Sequence, residues 1–284
     1  MWSFLTRYYD GRPEIDLFGK AEYILESCLN CDLIYQREIL DEEGMMTLYE
    51  YYINSDVSLS IHERNPEPMD YEIQELRALS SRFGKRNDSM KVLDYGMGWG
   101  RWVRGAIEHG FIVSGTELSG KRKKYVHGLD VEIIDHEDLA ESSFNLIHVN
   151  QVFEHLPEPL ETLHDLSKLL SPDGVIHISV PPGNKTKKSV PKIDFHEHVV
   201  PPNMSPSMSV HPLEHINCFT QKSLLKMAEL AGLKRIKIPL WKWRISFNPL
   251  KPKQSLLSFL RPMHRNYSPN CTSLYFTHSD DGFM

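Results

Sequence analysis

The sequence lacks the features that mark several specialised classes of protein. Its 284 residues include only four cysteines, too few for a disulfide scaffold. No segment has the ~18 uninterrupted apolar residues of a membrane-spanning helix. The N-terminus, MWSFLTRYYDGRPE, carries charges where a signal peptide needs an apolar stretch. We therefore expect a cytoplasmic protein with no membrane partner.

The chain also has no excess of positive charge. The formal net charge is −6 and the calculated pI is about 6.2, which argues against a dedicated nucleic-acid binder. Two short basic runs, at 121–124 and 184–188, are interpreted as solvated surface because neither lies in a basic domain. Apolar residues make up 40% of the chain, an ordinary share for a protein with a sizeable core.

Composition changes along the chain predict where the domains begin and end. Residues 1–68 are rich in tyrosine and acidic residues, and they end in a polar, proline-broken stretch. We predict an N-terminal cap-like segment at 1–68 and a main domain at 69–284. The main domain is divided into a core (89–183), a lid insertion (184–213) and a C-terminal part (214–284).

The main domain alternates predicted strands and helices. A helix is expected from Met69, with Ile73, Leu76, Leu79 and Phe83 at helical spacing. The strands are predicted at 91–95, 111–118, 131–135, 144–150, 175–180, 233–240 and 272–279. Helices are predicted at 102–110, 158–170 and 220–232, a polar helix or turn at 119–128, and a turn at 171–174. Residues 241–266 lie between the last two strands as an insertion.

This alternation predicts an α/β fold with helices on both faces of a sheet. We expect a Rossmann-like, seven-stranded mixed sheet that is mostly parallel, with the last strand antiparallel. The N-terminal segment and the lid insertion are appendages to it.

A glycine-rich loop follows the first predicted strand. The segment DYGMGWG places Gly96, Gly98 and Gly100 between a buried strand and a helix. Glycine allows a tight turn and close approach of the backbone to a ligand. In open α/β sheets, ligands bind at the carboxyl ends of the strands.

Three residues favour a cationic cofactor without phosphate over a nicotinamide dinucleotide. The dinucleotide fingerprint needs glycine where this chain has Arg101. Asp94 lies at the start of the loop, where it suits an ammonium or sulfonium group better than a pyrophosphate. Glu117 ends the next strand, where its two oxygens can accept both ribose hydroxyls. S-adenosylmethionine is a cofactor of this kind.

On these residues the chain resembles the class I S-adenosylmethionine-dependent methyltransferases, and in particular the ubiquinone-pathway and sugar methyltransferase type. VLDYGMGWGRW resembles the first motif of that fold, with Met97 in place of the usual cysteine, and VSGTELS resembles the second. The resemblance implies cofactor contacts at Asp94, Gly96, Gly98, Gly100, Glu117, Leu118, Asp138, Leu139 and Asn150.

Candidate residues for catalysis follow the fourth strand of the core and precede the last helix. Methyl transfer to a hydroxyl needs positioning and a general base. Glu154 and His155 resemble a turn of the ubiquinone-type enzymes that can hold a divalent metal. Gln151 stands here where those enzymes carry an additional acid, so we predict no metal. His215 is the third candidate, as a base or acceptor contact.

A second resemblance concerns the N-terminal segment. Residues 26–52 resemble the end of a zinc-binding cap found on some sugar C-methyltransferases. Those caps carry two cysteine pairs, whereas this chain has only Cys28 and Cys31 there. We therefore expect a metal-free remnant of the cap. His196 and His198, in the lid insertion, are weaker candidates for acceptor contact, and Trp99 is a candidate for stacking.

We expect an enzyme that methylates an oxygen or carbon of a small molecule, with sugars and glycan precursors as candidate acceptors. Two alternatives remain open at this point. One is an S-adenosylmethionine-binding regulatory protein whose active site has decayed, and the other is a nicotinamide oxidoreductase. The sequence does not determine the oligomeric state.

Overall fold

A large mixed sheet organises the part of the chain that the structure describes. In this computed structural model the described residues are 2–12, 22–66, 70–84, 86–141, 143–184, 186, 209–243 and 252–279. The strands are β1 (Leu25–Ser27), β2 (Ile34–Gln36), β3 (Lys91–Tyr95), β4 (Ile112–Thr116), β5 (Glu132–Ile133), β6 (Phe144–Asn150), β7 (Leu170–Ser179), β8 (Asn217–Cys218), β9 (Leu233–Ile236) and β10 (Ser273–His278).

Helices connect these strands and precede them. They are α1 (Trp2–Tyr8), α2 (Glu42–Thr47), α3 (Ser55–Arg64), α4 (Asp70–Phe83), α5 (Arg101–Glu108), α6 (Gly120–Val126), α7 (Pro159–Lys168), α8 (Gln221–Leu230) and α9 (Pro252–Tyr267). A π-helical turn spans Leu48–Tyr52, and short 3₁₀ turns span His136–Glu141 and Phe153–His155.

Seven of the described strands form the main sheet, in the order β5-β4-β3-β6-β7-β10-β9. The pairs from β5 to β7 are parallel, and β10 runs antiparallel to both β7 and β9. This arrangement confirms the predicted fold class, including the antiparallel last strand. Because β3, β4 and β6 are parallel neighbours, the loops that follow them meet at one edge of the sheet.

Alternate residues of the central strands pack into two separate cores. Leu93 of β3 and Ile147 of β6 pack with helices α7 and α8 on one face. Val92 and Leu146 pack with helices α4, α5 and α6 on the other. This alternation is expected when helices cover both faces of a parallel sheet, and it fixes which side chains face the carboxyl edge.

The N-terminal segment is joined to the C-terminal part by a small antiparallel sheet. β1 pairs with β2, and β2 pairs with β8 through Ile34–Cys218 and Tyr35–Asn217. Helix α1 packs on the π-helical turn, with Leu5 and Leu48 fully buried and Leu213 alongside. The division at residue 68 remains a prediction, and the two parts share both a sheet and a core.

One prediction of secondary structure is corrected, and two segments for which no element was predicted contain helices. The predicted turn at 171–174 lies inside β7, where the pairing with β6 shifts register and the extra residues form a bulge. The insertion at 241–266 holds all but the last residue of the sixteen-residue helix α9, which ends at Tyr267. The polar stretch after residue 54 contains helix α3, which Asn54 caps by accepting from the backbone N–H of Asp56.

None of the helices in the described part of the chain has the length and apolar character needed to cross a membrane.

Candidate functional site

The glycine-rich loop has the conformation that its glycines predict. Gly96, Gly98 and Gly100 have φ angles of +80°, +55° and +76°, in the left-handed region. A Cβ added at Gly96 would lie 2.6 Å from Val152 Cγ2, so this loop is pressed against the loop that follows β6. A Cβ added at Gly98 would meet nothing within 4 Å. Gly98 therefore faces open space of the kind that a ligand could fill.

Glu117 lies beside this open space and is held there by the backbone. Its side chain is 8% exposed. One carboxylate oxygen accepts from the Gly98 N–H at 2.9 Å, and the other accepts from the Ser119 N–H at 2.9 Å. Arg122 Nη1 lies 3.7 Å from the first of these oxygens. Each oxygen retains a further lone pair, so two adjacent hydroxyl donors could still bind.

Asp94 has a neighbour that the sequence analysis missed. Its carboxylate is 3% exposed and lies 2.8 Å from Nδ1 of His148 on the adjacent strand β6. The His148 ring stacks on Trp102, with ring centroids 4.4 Å apart. Asp94 thus couples β3 to β6 beneath the loop, and its contact with a cofactor remains a prediction.

The other predicted cofactor contacts are spread around the same edge. Leu118 is 76% exposed directly after Glu117, and Asp138 and Asn150 are exposed on the loops after β5 and at the end of β6. Leu139 differs from this pattern, because it is 6% exposed and packs in the core against α7. Its side chain therefore lacks the open position that an adenine contact would need.

Trp99 packs against the protein. Its Nε1 donates to Ser58 Oγ of α3 at 3.1 Å, and its ring meets Tyr125 edge-on at 5.2 Å. Lys121 of α6 pairs with Asp56 of α3 at 2.5 Å. Helix α3 therefore closes over the cofactor loop, which assigns Trp99 to packing rather than to an acceptor.

The predicted catalytic residues converge in one cluster, in which Glu154 is buried and the two histidines are partly exposed. Glu154, His155 and His215 each place a possible ligand atom within 4.8 Å of the others. The rings of His155 and His215 are 4.8 Å apart between centroids. Glu154 and His155 come from the turn after β6, and His215 precedes β8, so the fold joins residues about sixty positions apart in the sequence.

Glu154 is unusual within this cluster. It is 1% exposed, and neither carboxylate oxygen has a hydrogen-bond partner among the described residues. Burial raises the pKa of this carboxyl to about 8. A buried carboxyl group without partners is costly in free energy, and it suggests a place for a ligand.

His155 is held in a defined tautomer. Its Nδ1 lies 2.7 Å from the backbone carbonyl oxygen of Glu214. Because a carbonyl oxygen can only accept, Nδ1 carries the proton and Nε2 carries the lone pair. Burial, reinforced by the adjacent His215, lowers the pKa of His155 to about 3. The imidazole is therefore neutral near pH 7.

Several groups near this cluster were not predicted from the sequence. Glu214 is largely but not fully buried, with 14% of its side chain exposed, and desolvation raises its pKa to about 7. Its carboxylate accepts from the Tyr9 hydroxyl at 2.7 Å. Tyr49 meets the His155 ring edge-on at 6.1 Å. His211, which was given no role, lies 4.2 Å from the Tyr8 ring, and burial lowers its pKa to about 3. No local pattern could reveal contacts between residues so far apart in the chain.

The cysteine pair lies at the turn of the β1–β2 hairpin, away from this cluster. Cys28 and Cys31 are free thiols of intermediate burial. In the part of the chain that the structure describes, neither belongs to a group of three possible metal ligands. The metal-free remnant remains a prediction. His196 and His198 lie outside the described residues.

Comparison with known proteins places this geometry in context. Residues 67–238 match a family described as a methyltransferase domain. A ubiquinone biosynthesis O-methyltransferase of Idiomarina loihiensis is 31% identical over 180 residues, which cover 60% of this chain and 68% of that protein. The same-named protein of Alkalilimnicola ehrlichii is 29% identical over 140 residues, covering 45% and 53%. The chain spans about half the length of most of the curated relatives it matches.

Among solved structures, the plantazolicin methyltransferase BamL, in complex with a triazolic desmethylPZN analogue and SAH, has a TM-score of 0.52 and 13% identity. The match covers 82% of this chain and 92% of that one, and at this identity it supports the fold alone. The comparisons together confirm the predicted resemblance and are consistent with the predicted cofactor.

Proposed function

Because the chain belongs to the methyltransferase-domain family, we propose that it transfers a methyl group from S-adenosylmethionine to an oxygen of a small-molecule acceptor. One observation carries the proposal. The open space at Gly98, bordered by Glu117, lies at the same sheet edge as the cluster of Glu154, His155 and His215. The printed name of the relatives, O-methyltransferase, favours oxygen over carbon.

The cofactor would lie across the ends of β3 and β4. The two oxygens of Glu117 would accept the ribose hydroxyls, since the backbone already fixes their position. The side-chain-free position of Gly98 would let the cofactor approach the loop. Leu118 and Asp138 would flank the adenine. The methyl group would then point towards the end of β6, where the catalytic cluster begins.

The acceptor hydroxyl would bind at His155. Methyl transfer is a displacement at carbon. The acceptor oxygen forms a bond to the methyl carbon as the bond from that carbon to the sulfonium sulfur breaks, and the sulfur leaves as a thioether. The hydroxyl proton must then be removed. His155 Nε2 carries a lone pair because Nδ1 is committed to Glu214. The hydroxyl becomes strongly acidic only as the new bond forms, so even a weakly basic imidazole suffices. His215 would position the acceptor beside it.

The same residues would also fit a divalent cation. Two imidazoles and a carboxylate are ordinary ligands for transition metals, and Glu154 lacks any partner among the described residues. A cation held by Glu154, His155 and His215 would polarise the acceptor hydroxyl and lower its pKa. The sequence analysis predicted no metal because Gln151 replaces an acid, and His215 would supply the missing ligand. Titration with Mn²⁺ or Zn²⁺ tests this second arrangement.

The acceptor is expected to carry its hydroxyl on a ring. Two tyrosine rings lie near the cluster: the Tyr49 ring contacts the His155 ring, and the Tyr8 ring contacts the ring of the neighbouring His211. Such rings stack on planar acceptors and on the apolar faces of sugars. The sequence analysis favoured saccharides, whereas the relatives' name refers to ubiquinone biosynthesis. A panel of phenolic and saccharide acceptors would separate the two.

The first experiment is calorimetric titration of the full chain with S-adenosylmethionine and S-adenosylhomocysteine, for which we expect micromolar affinity. Absence of heat with both would overturn the proposal. Transfer of labelled methyl groups to any acceptor excludes the second candidate, a cofactor-binding protein with a decayed site. The observation that favours this second candidate is Gln151, which stands where the ubiquinone-type enzymes carry an acid. Gln151 follows β6 and has a positive φ of 57°.

A His215→Ala variant tests the catalytic cluster. It should lower turnover well over tenfold while changing cofactor affinity less than twofold, since the proposed cofactor contacts are at Gly98 and Glu117 and not at His215. His164→Ala, on the exposed surface of α7, is the matched control and should behave as wild type. Wild-type turnover in His215→Ala would reduce this residue to a structural role.

A further inference from the structure

Helix α9 is built with its polarity reversed. The side chains that it turns inwards are small or polar, namely Ser255, Ser258, Pro262 and Asn266. The side chains that it exposes are large and apolar, namely Leu256 (57% exposed), Phe259 (47%), Leu260 (44%), Met263 (39%) and Tyr267 (62%). These five recur at helical spacing and so form one continuous stripe, which we call the α9 stripe.

The inward face of α9 is fixed by specific polar contacts, so the helix is not free to turn over. Asn266 Nδ2 donates to the Ile238 carbonyl oxygen at 2.7 Å. Arg265 pairs with the buried Glu75 of α4 and with the Tyr275 hydroxyl. Arg261 lies over the Tyr71 ring, 4.2 Å from its centroid. The exposure of the α9 stripe is therefore imposed by the fold.

The sequence around this stripe is strongly basic. Residues 230–279 contain nine of the chain's 32 Lys and Arg residues and none of its 38 acidic residues. The rest of the chain is acidic in balance. Lys237 Nζ lies 4.9 Å from the Tyr267 ring centroid, at one end of the stripe. Among the described residues, Lys237 thus places a positive charge beside the exposed apolar side chains.

A second exposed aromatic residue belongs to this region. Trp241 is 80% exposed, and Lys242 Nζ lies 5.4 Å from its ring centroid. The segment that carries both residues is tied to α9 through Ile238 and Asn266. Helices that lie in a membrane interface have this composition: tryptophan and tyrosine beside lysine, next to a stripe of leucine, phenylalanine and methionine.

We propose that α9 and the adjoining residues 237–243 dock the protein on the surface of an anionic lipid bilayer. The α9 stripe would enter the headgroup region, and Lys237 and Lys242 would contact lipid phosphates. A second copy of the chain fits less well, because a symmetric contact would bring the same basic segment of two copies together. The sequence analysis expected no membrane partner because no segment can span, but a helix lying on the surface needs no spanning length.

The test is co-sedimentation of the full chain with vesicles. We expect binding to phosphatidylglycerol–phosphatidylcholine vesicles, weak binding to phosphatidylcholine alone, and loss of binding at high salt, because surface charges are screened. Phe259→Asp should reduce the partition coefficient at least about tenfold. The change replaces an aromatic side chain, which would lie among the lipid headgroups, with a negative charge that anionic lipid repels. Lys237→Gln and Lys242→Gln should each reduce it about fivefold.

The matched control is Leu230→Asp, which changes a comparably exposed leucine at the end of α8 (60% exposed), outside the stripe. It should bind vesicles with little change. Unchanged S-adenosylhomocysteine affinity and circular dichroism would show that the variants are folded. Trp241→Phe should also remove most of the fluorescence quenching by brominated lipids.

Two results would overturn the proposal. One is that the wild-type protein fails to sediment with anionic vesicles. The other is that sedimentation velocity shows a dimer that Phe259→Asp converts to monomer while vesicle binding is absent, which would assign the stripe to a second copy of the chain. Both outcomes are independent of methyl transfer, so they leave the proposed function untouched.

Discussion

Gly98 provides the sharpest test of the cofactor site. Its φ of +55° is unfavourable for other residues, but a side chain there would enter open space rather than protein. We therefore expect Gly98→Arg to fold with a cost of about 1–2 kcal/mol and to lose measurable binding of S-adenosylhomocysteine. Calorimetric titration, with thermal unfolding as a check, measures both effects.

Gly232 offers a matched control for this substitution. It ends α8 with a φ of +72°, and a Cβ there would also meet nothing within 4 Å. Gly232→Arg should carry a similar cost in stability but keep cofactor affinity. If Gly98→Arg retained wild-type affinity, the loop would have been assigned wrongly.

Glu117 tests the other side of the same space. Glu117→Ala should weaken binding of the cofactor by about 1.5–3 kcal/mol, because charge-assisted hydrogen bonds to the ribose are lost. Part of this loss reflects the loop itself, since the carboxylate also accepts from the Gly98 N–H. Glu132→Ala, which removes an acid bonded to Ser114 on the neighbouring strand, is the control and should bind normally. An unchanged dissociation constant for Glu117→Ala would refute the ribose role.

These two residues were predictable because their roles depend on local position. One is a glycine that follows a buried strand, and the other is an acid at the end of the next strand. The topology of a parallel sheet brings these two positions together at the carboxyl ends of the strands. The Asp94–His148 pair and the Tyr9–Glu214 bond were not predictable in this way. They join residues 54 and 205 positions apart, and no sequence period encodes such contacts.

At the scale of elements, the buried strands were predicted best. β3 and β6 have the bounds that the sequence indicated, because short and mostly buried runs have few alternatives inside a covered sheet. Helix α8 begins after its Thr220 cap, as predicted, with a capping box. Helix α9 was missed because its apolar residues face outwards and Pro262 lies inside it. The rule that apolar faces turn inwards fails there.

Helix α3 makes a testable contribution to the cofactor site. Its Ser58 Oγ accepts from Trp99 Nε1 at 3.1 Å, in the middle of the glycine-rich loop. Ser58→Ala leaves that indole N–H without its partner and removes about 0.5–1.5 kcal/mol of hydrogen bonding. Because α3 covers the loop, we expect cofactor affinity to fall about twofold to tenfold. Calorimetric titration with S-adenosylhomocysteine measures this change.

The control lies two residues away on the same helix. Among the described residues, Ser60 Oγ bonds the backbone of its own helix, at the Val57 carbonyl oxygen, and the residue is partly exposed. Ser60→Ala alters helix propensity as Ser58→Ala does, without touching the loop. Equal affinities in the two variants would show that α3 lies over the loop without supporting it.

At the scale of the whole molecule, one cluster joins the two ends of the chain to the sheet. Tyr9 from the N-terminal segment bonds Glu214 from the C-terminal part, and Glu214 in turn holds His155 of the sheet edge. A change of protonation in this cluster therefore acts on the stability of the folded molecule as a whole, rather than on one loop.

The buried histidines and acids make opposite contributions to this pH dependence. Burial lowers the pKa of His155 and His211 from 6.5 to about 3, so the unfolded chain binds protons that the folded one does not, and stability rises with pH up to about 6.5. Burial raises the pKa of Glu154 and Glu214 from 4.5 to about 8 and about 7. Their contribution is fully present below pH 4.5 and is lost as pH rises towards those values.

Between pH 4.5 and 6.5 the histidines raise the free energy of unfolding with pH while the acids lower it. Above pH 6.5 only the decrease caused by the acids remains. We therefore expect maximum stability near pH 6 and a decline by pH 8. Glu154→Gln isolates the main cause of that decline, because glutamine has nearly the same shape and no proton to lose. At pH 6 the variant should already be the more stable, because Glu154 is neutral in the folded protein but ionised in the unfolded chain. From pH 6 to pH 8 the difference in free energy of unfolding should widen by about a further 1–2.5 kcal/mol.

Urea denaturation at the two pH values, with a chelator present, measures this difference directly. Glu229→Gln, at an exposed position on α8, is the control and should show no such dependence. Equal wild-type and Glu154→Gln stabilities at both pH values would contradict a carboxyl that is neutral when buried. That result would favour an ionised Glu154 held by a positive charge, and repeating the measurement with Mn²⁺ or Zn²⁺ in place of the chelator would then identify a bound cation as that charge.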